Sequence, residues 1–466
     1  MWHLPLSSSK SLYQQVIDLI EQSIMNGQLS PGEKLPSERK MSVLLQVNRS
    51  TIIHALNELS DRGVIIRKIG SGSFVNPDKW GLQTHPLMNW QPLKSAYTAF
   101  PKDDYVLQVQ HLRKECLERQ KSLQDMATGD LSPTLLPDLN LTDFPVKELL
   151  SLEQDNETTQ LGLYSFRQAV QDHMQKRLGL SVDLSEILIT TGTQQALFLI
   201  SQTLLKPGDR IGVESPSSFY RLPIFQAAGL RICALPMDEH GVTLQGLREL
   251  IQKNPIKMVF LNPLFQNPTG SCMDHKRKQQ ILSYCHQYQI PIVEDDACSM
   301  LSFTSNINIT PIKAYDTHQQ VIYVGSLSKY MGKNIRAGWI IAPKAIITQL
   351  AHIRQQIDGG LSVLPQLLAE NYLRYQLDHH CKELKQQLSA RATRLCQWLQ
   401  NDHADHLSFI PPQGGLYCYA KFHEYKIKDM PRILQEWLSH NITIAKGKEF
   451  GGETGEIRFN FSQSCK

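Results

Sequence analysis

Residues 321–342, Val-Ile-Tyr-Val-Gly-Ser-Leu-Ser-Lys-Tyr-Met-Gly-Lys-Asn-Ile-Arg-Ala-Gly-Trp-Ile-Ile-Ala, decide the fold of most of this chain. Residues 321–324 form a short apolar run of the kind found in strands buried on both faces. A polar loop follows, Gly325-Ser326-Leu327-Ser328-Lys329, and residues 339–342 make a second apolar run. Arg336 stands seven residues beyond the lysine, on the same connection. Working outward, similar runs occupy 187–190, 210–214, 232–235, 258–261 and 292–294, with helical periodicity between them. Seven strands alternating with helices predict an α/β body: a mostly parallel sheet with helices on both faces, its ligand site at the carboxyl ends of the strands.

Five of the loops and strands carry matching polar groups. Thr191-Gly192-Thr193-Gln194 offers a glycine and hydroxyls at a helix start, suited to a phosphate. Gln266-Asn267-Pro268-Thr269-Gly270 sets an amide beside a turn, and Asp295-Asp296 puts carboxylates at a strand end. Ser326, Ser328, Lys329 and Arg336 come from the opening stretch, and Arg458 lies in an alternating Arg-Phe-Asn-Phe run near the C-terminus. A phosphate needs anion donors, a protonated ring nitrogen needs a carboxylate, and an aldehyde needs an amine for imine formation. The loops supply all three, which together describe pyridoxal 5′-phosphate. Lys329 is the imine-forming amine, with a pKa expected to be lowered from about 10.4 by burial and by Arg336. Asp295 pairs the ring nitrogen, Asn267 the ring hydroxyl, and Thr193, Ser326 and Arg336 the phosphate. Arg458 is placed to hold a substrate carboxylate bidentately.

Singly, each residue has an ordinary structural reading as a surface lysine, a capping serine or an arginine in a salt bridge. Their order and loop placement closely resemble fold type I pyridoxal-phosphate enzymes of the aspartate aminotransferase class, over roughly residues 129–466. The resemblance implies a large domain at about 160–355 and a small α+β domain from about 129–155 and 356–466. Gly192, Gln194 and Ser328 join the cofactor-binding set by that resemblance, and Lys329 with Asp295 the catalytic pair. The chain also departs from the pattern. Cys298 stands where such enzymes carry a tyrosine for the ring hydroxyl, and Glu157 stands where a second tyrosine reaches the neighbouring subunit's phosphate. The ring-stacking aromatic after Glu214-Ser215-Pro216 aligns with Ser218 or Phe219, of which Phe219 is the one able to stack. These losses weaken efficient transamination more than imine formation.

The first 76 residues read differently. Leu12, Val16, Leu19, Ile20 and Ile24 recur at helical spacing up to Asn26-Gly27, and a turn follows at Ser30-Pro31-Gly32. Ser37 caps a short helix carrying Met41, Leu44 and Leu45; Asn48 caps a third helix that buries Ala55, Leu56 and Leu59. Two short strands at 64–68 and 73–75 complete a winged helix-turn-helix. The run PGEKLPSERKMSVLLQVNRSTIIHALNELSDRGVIIRKIGSGSFV resembles the DNA-binding domain of the GntR family of bacterial transcription regulators. That resemblance puts contacts to a double-stranded DNA operator on Ser37, Arg39, Arg49, Ser50 and Thr51, with Gly72 at the wing tip. Residues 77–128 read as a linker interrupted by Pro77, Pro86, Pro92 and Pro101, with one amphipathic helix at 104–124.

Joined, the two modules resemble the MocR subfamily of GntR regulators, in which an aminotransferase-like domain senses pyridoxal phosphate or an amino compound. The resemblance implies a homodimer whose DNA binding responds to an amino-acid-like effector forming an external aldimine. A working aminotransferase with an accessory DNA head, and a scaffold with an empty cofactor fold, remain open. Composition agrees with a large body and a small head: 48 basic against 44 acidic residues give +4 in 466, too little to mark a nucleic-acid binder by bulk charge. The nine cysteines are scattered without a Cys-x-x-Cys pair, and no long apolar run or signal peptide is present, which predicts a cytoplasmic protein with no membrane partner. His379-His380-Cys381 lacks a second ligand pair, so no metal is expected.

Overall fold

The computed structural model describes residues 10–25, 28–30, 32–68, 70–77, 104–139, 151–152 and 160–463. Asn26-Gly27, Pro31, Glu157 and the stretch 78–103 of the expected linker lie outside the described residues. The chain divides into two compact units, residues 1–103 and 104–466.

In the first unit α1 (Leu12–Met25), α2 (Glu38–Leu45) and α3 (Arg49–Asp61) pack around Val16, Ile20, Leu45, Ile52, Leu56 and Leu59. The Ser37 hydroxyl accepts from Lys40 N at 3.3 Å and the Asn48 side chain from Ser50 N at 3.2 Å, so both expected caps form. Strands β1 (Ile65–Lys68) and β2 (Gly72–Val75) pair antiparallel as the wing. Leu12 and Leu44, expected in the core, are exposed: the first sits at the opening of α1 and the second on the outer face of α2.

The second unit opens with α4 (Asp104–Glu118), shorter than the periodicity predicts. The chain leaves the helix through Gln120 at φ 51°, and Lys121 N closes on Cys116 O at 2.9 Å. Strand β3 (Gln124–Asp125) then pairs in parallel with Ile442–Thr443 near the C-terminus.

The central sheet contains the seven expected strands: β4 (Ile187–Thr190), β5 (Arg210–Ser215), β6 (Arg231–Asp238), β8 (Ile256–Leu261), β9 (Ile292–Asp296), β10 (Val321–Ser326) and β11 (Gly338–Ile341). An eighth, two-residue strand, β7 (Gly241–Val242), hairpins onto β6. The spatial order is β4-β11-β10-β9-β8-β5-β6-β7. β11 runs antiparallel to β4 and β10, and the pairs from β10 through to β6 are parallel. Strands β4, β9 and β10 are buried at every residue, as a sheet covered on both faces requires. A four-stranded sheet, Leu407–Phe409, Tyr417–Phe422, Glu456–Asn460 and Ala445–Lys446 in that order, forms the smaller C-terminal layer. Among the described residues no helix is long and apolar enough to cross a membrane, and no group of three ligands is arranged for a metal.

Candidate functional site

The loops leaving β4, β5, β8, β9 and β10 converge on one cavity of about 200 Å³. The structure brings Gly192, Thr193, Gln194, Phe219, Asn267, Asp295, Cys298, Ser326, Ser328, Lys329 and Arg336 to its wall. Gly192 sits at φ 103°, in the region that favours glycine, and an added Cβ there would stand 3.7 Å from Arg336 Nη2 and 3.9 Å from Ser326 Oγ. That point, at the amino end of the helix Thr193–Leu204, is a concave meeting of a guanidinium, a hydroxyl and a helix start. Gly338 lets the backbones close up behind it, since a Cβ there would lie 2.8 Å from Gly192 Cα.

Asp295 is buried at the end of β9 beside Asp296. Burial, then the Asp296 charge, pushes its carboxyl up to about 7, against the opposing pull of Lys329. Among the described residues its carboxylate accepts one bond, from the Thr193 hydroxyl at 3.4 Å. Asp296 is otherwise engaged, accepting from Tyr323 Oη at 2.8 Å and Ser299 N at 3.0 Å. Thr193, expected at the phosphate, donates the bond to Asp295 and lines the cavity beside Gly192. Asn262, which the sequence reading missed, donates to Asp295 O at 2.7 Å and accepts from Asn267 N at 2.9 Å. Glu214 holds this assembly from behind, accepting from Asn262 N at 3.0 Å and Gln266 Nε2 at 2.8 Å, and burial raises it to about 8.

Lys329 is half-buried and donates to Gly129 O at 2.6 Å, and Tyr417 Oη donates to the same carbonyl at 2.7 Å. The expected lowering of the Lys329 pKa is corrected. Burial does act to lower it, but the surroundings of Tyr417, Cys298 and Asp130 outweigh burial, and the amine lies above its ordinary value. Arg336, the cation expected to lower it, is not among its main influences. Arg458 has no exposed surface. Its Nη2 donates to Ala127 O at 2.7 Å and Thr128 O at 2.8 Å, and its Nη1 to Asn267 Oδ1 at 3.0 Å. The buried Nε has no partner among the described residues. Tyr417 and Phe450 flank the guanidinium at 4.7 and 4.9 Å.

Cys298 is buried at the cavity, and burial pushes its thiol up to about 12. Phe219 lies in the short 3-10 turn Ser218–Arg221; both Ser218 and Phe219 reach the cavity, and the Phe219 ring packs edge-on to Phe225 and Phe260. Tyr417, Asp130 and Lys333 also line the cavity and escaped the sequence reading; Lys333 pairs with Asp130 at 3.0 Å. The glycine pair Gly414-Gly415 was the available signal for Tyr417, since a side chain at either would strike Phe265.

The donor set fits pyridoxal phosphate: an under-satisfied buried carboxylate for a protonated ring nitrogen, and an arginine-serine-helix cradle for a phosphate. Arg336 makes no hydrogen bond or ion pair among the described residues, so its donors are free for that phosphate.

In the first unit a groove of about 610 Å³ is lined by Ser37, Arg39, Arg49 and Gly72, together with Arg67 and Lys68. Ser50 and Thr51 lie on the first turn of the same helix as Arg49 and are not among its lining residues.

Comparison with known proteins agrees with both units. Residues 145–465 match the family model for aminotransferase class I and II, and residues 12–75 that for bacterial regulatory proteins of the gntR family. The uncharacterized HTH-type transcriptional regulator YdfD of Bacillus subtilis (strain 168) is 31% identical over 453 residues, 97% of this chain and 92% of the relative. The HTH-type transcriptional regulator NorG of Staphylococcus aureus (strain USA300) is 29% identical over 439 residues, 92% of this chain and 95% of its own. Among solved structures, an archaeal alanine:glyoxylate aminotransferase superposes with a TM-score of 0.69 at 26% identity, covering 80% of this chain and 95% of that one. The multiple substrate aminotransferase of Thermococcus profundus gives 0.66 at 24%, covering 80% and 94%. The chain thus belongs to the GntR-type transcription regulators that carry an aminotransferase class I and II domain, the MocR architecture, and that domain implies pyridoxal 5′-phosphate as its cofactor.

Proposed function

We propose that this regulator is a cytoplasmic homodimer whose grip on an operator is altered by an amino-acid-like effector at the Lys329 site. The DNA contacts are Ser37, Arg39, Arg49, Ser50, Thr51 and Gly72, and two copies of the head read half-sites about 34 Å apart or a multiple of it. Bound pyridoxal phosphate supplies an aldehyde for amine capture and a ring that draws electrons. Asp295 keeps the ring nitrogen protonated, Gly192, Ser326, Ser328 and Arg336 hold the phosphate, and Asn267 orients the ring.

One observation carries the regulatory part. Lys329 and Arg458, the two groups an amino acid would engage, are both held by carbonyls of the single segment Ala127-Thr128-Gly129. An effector that takes both groups must displace those carbonyls. The segment continues directly from β3, where Asp125 accepts two bonds at 2.8 Å from Arg113 of α4. Asp125 also accepts from Thr443 Oγ1 at 2.7 Å, and Ala127 N donates to the same hydroxyl at 3.4 Å. α4 is the described helix that follows the DNA-binding unit in sequence. Occupancy of the site therefore biases an element connected by hydrogen bonds to the linker end of the unit.

The test is spectral. Full-length protein loaded with pyridoxal phosphate should gain an absorbance band near the visible edge that shifts with some members of an amino-acid panel. Lys329→Ala should lose both. A band and response unchanged in Lys329→Ala would refute the assignment, and sustained keto-acid production would make the protein a working aminotransferase with an accessory DNA head.

A further inference from the structure

The DNA-facing groove holds a residue that electrostatics alone would exclude. Its lining includes Lys34, Arg39, Arg49, Arg67 and Lys68, and one carboxylate, Glu38. A polyanion approaching this surface meets that carboxylate at a cost, because nonspecific binding is governed by the count of cations that neutralise phosphates.

Glu38 is not an idle surface acid. One oxygen, Oε2, accepts from Arg49 Nη2 at 3.1 Å, and the other, Oε1, accepts from Arg67 Nη2. Arg49 opens the third helix and Arg67 belongs to the wing strand, so a single carboxylate ties together the second helix, the third helix and the wing. Arg67 is held from its other side by the Asn57 side chain. Glu38 itself is 22% exposed, whereas Arg49 is 62% exposed. The acid is tucked under the two guanidinium groups and fixes their direction while leaving outer N–H groups of Arg49 toward solvent. Arg39, next in sequence, is exposed, lines the groove and makes no bond among the described residues, which leaves its donors for a phosphate.

We infer that Glu38 is a specificity-determining residue of the DNA interface: it cancels part of the groove's charge toward phosphate and, braced by Arg67, aims Arg49 at base edges. A fixed fork favours the two acceptors of guanine. The inference rests on the DNA-binding reading and goes beyond it, because it concerns discrimination among sequences rather than binding as such. Its physical content is a trade. The carboxylate lowers affinity for any duplex and raises the ratio between the right duplex and a wrong one.

The experiment uses the full-length protein and a pool of random-sequence 30-base-pair duplexes, so that no operator need be known beforehand. Wild type and Glu38→Gln are each taken through selection, and binding to the unselected pool is measured between 50 and 200 mM salt. Glu38→Gln removes one charge at constant shape. It should steepen the salt dependence of pool binding by about one unit of log–log slope, so that the 50-to-200 mM affinity ratio grows about 3.5-fold. Its selected motif should have fewer specified positions. Glu38→Asp keeps the charge and should keep the wild-type slope. A motif and slope both unchanged in Glu38→Gln would overturn the inference. Lowered thermal stability with an unchanged motif and slope would also overturn it, assigning Glu38 to holding the wing in place. If the wild type itself enriches no motif, the DNA-binding reading fails, and the inference with it.

Discussion

Gly129→Ala probes the space between Lys329 and Arg458. A Cβ at residue 129 would stand 3.7 Å from Tyr417 Oη, 3.9 Å from Lys329 Nζ and 4.0 Å from Arg458 Nη1. All three are ordinary contact distances, so the arrangement seen here accepts the methyl without strain. A segment displaced from Lys329 and Arg458 gains backbone freedom, and alanine gains less of it than glycine, which favours the arrangement seen here by about 0.4–1 kcal/mol. At an RT near 0.59 kcal/mol, that is a two- to fivefold bias against displacing the segment. The methyl also occupies the point where Lys329, Tyr417 and Arg458 meet, which is where an amino acid held by Lys329 and Arg458 must lie. Cofactor binding should survive, because the residues holding the phosphate and ring are untouched. Titration of the loaded protein with the amino-acid panel, followed by absorbance, should show midpoints raised at least two- to fivefold. Midpoints that stay the same or fall, in a variant whose thermal unfolding midpoint is not lowered, would refute the displacement of Ala127-Thr128-Gly129 by the effector.

Arg113→Ala removes the paired bonds to Asp125 at a part-exposed site, so stability should fall by no more than about 1 kcal/mol. The variant should keep the absorbance response to amino acids and lose much of the accompanying change in DNA binding, measured by fluorescence anisotropy of a selected duplex. A second expectation concerns pH. Asp295, Glu294 and Glu214 are buried, and burial raises them to about 7, 7 and 8. Their folded-state pKa values lie above the unfolded ones, so the folded protein holds extra protons between about pH 4 and pH 7–8, and stability falls as pH rises through that window. For Asp295 the shift from 3.8 to about 7 corresponds to at most about 4 kcal/mol. Urea unfolding of cofactor-free protein should accordingly show a lower midpoint at pH 8 than at pH 5, and Asp295→Asn should shrink the difference. A midpoint that rises from pH 5 to pH 8 would contradict the burial of these acids.

Much of the site was legible because it is written in loop residues next to strands. Gly192, Asp295, Ser326 and Lys329 each follow or end an apolar run, and the parallel sheet carries all such ends to one side. Arg458 and Asn267 were legible as residues, but their mutual bond spans 191 positions and has no local signal. Least legible was the role of Gly129. Its carbonyl meets Lys329 and Tyr417 across 200 and 288 residues, and a backbone acceptor leaves no mark in side-chain chemistry. The misjudged Lys329 pKa has the same origin, since it depends on Tyr417 and Asp130, which only the tertiary fold delivers. In the small unit the caps at Ser37 and Asn48 were local and therefore readable, whereas Glu38 revealed its link to Arg67 only when the wing folded back.

The central claim is that occupancy at Lys329 controls DNA binding, and one titration bears on it most directly. A duplex selected by the full-length, cofactor-loaded protein is followed by anisotropy while the amino-acid panel is added, with absorbance recorded on the same samples. The account predicts that the two signals change with a common midpoint for the same amino acids, and that Lys329→Ala binds the duplex but shows neither change. An absorbance shift with DNA occupancy unmoved, or an amino-acid-dependent change in occupancy that persists in Lys329→Ala, would contradict it.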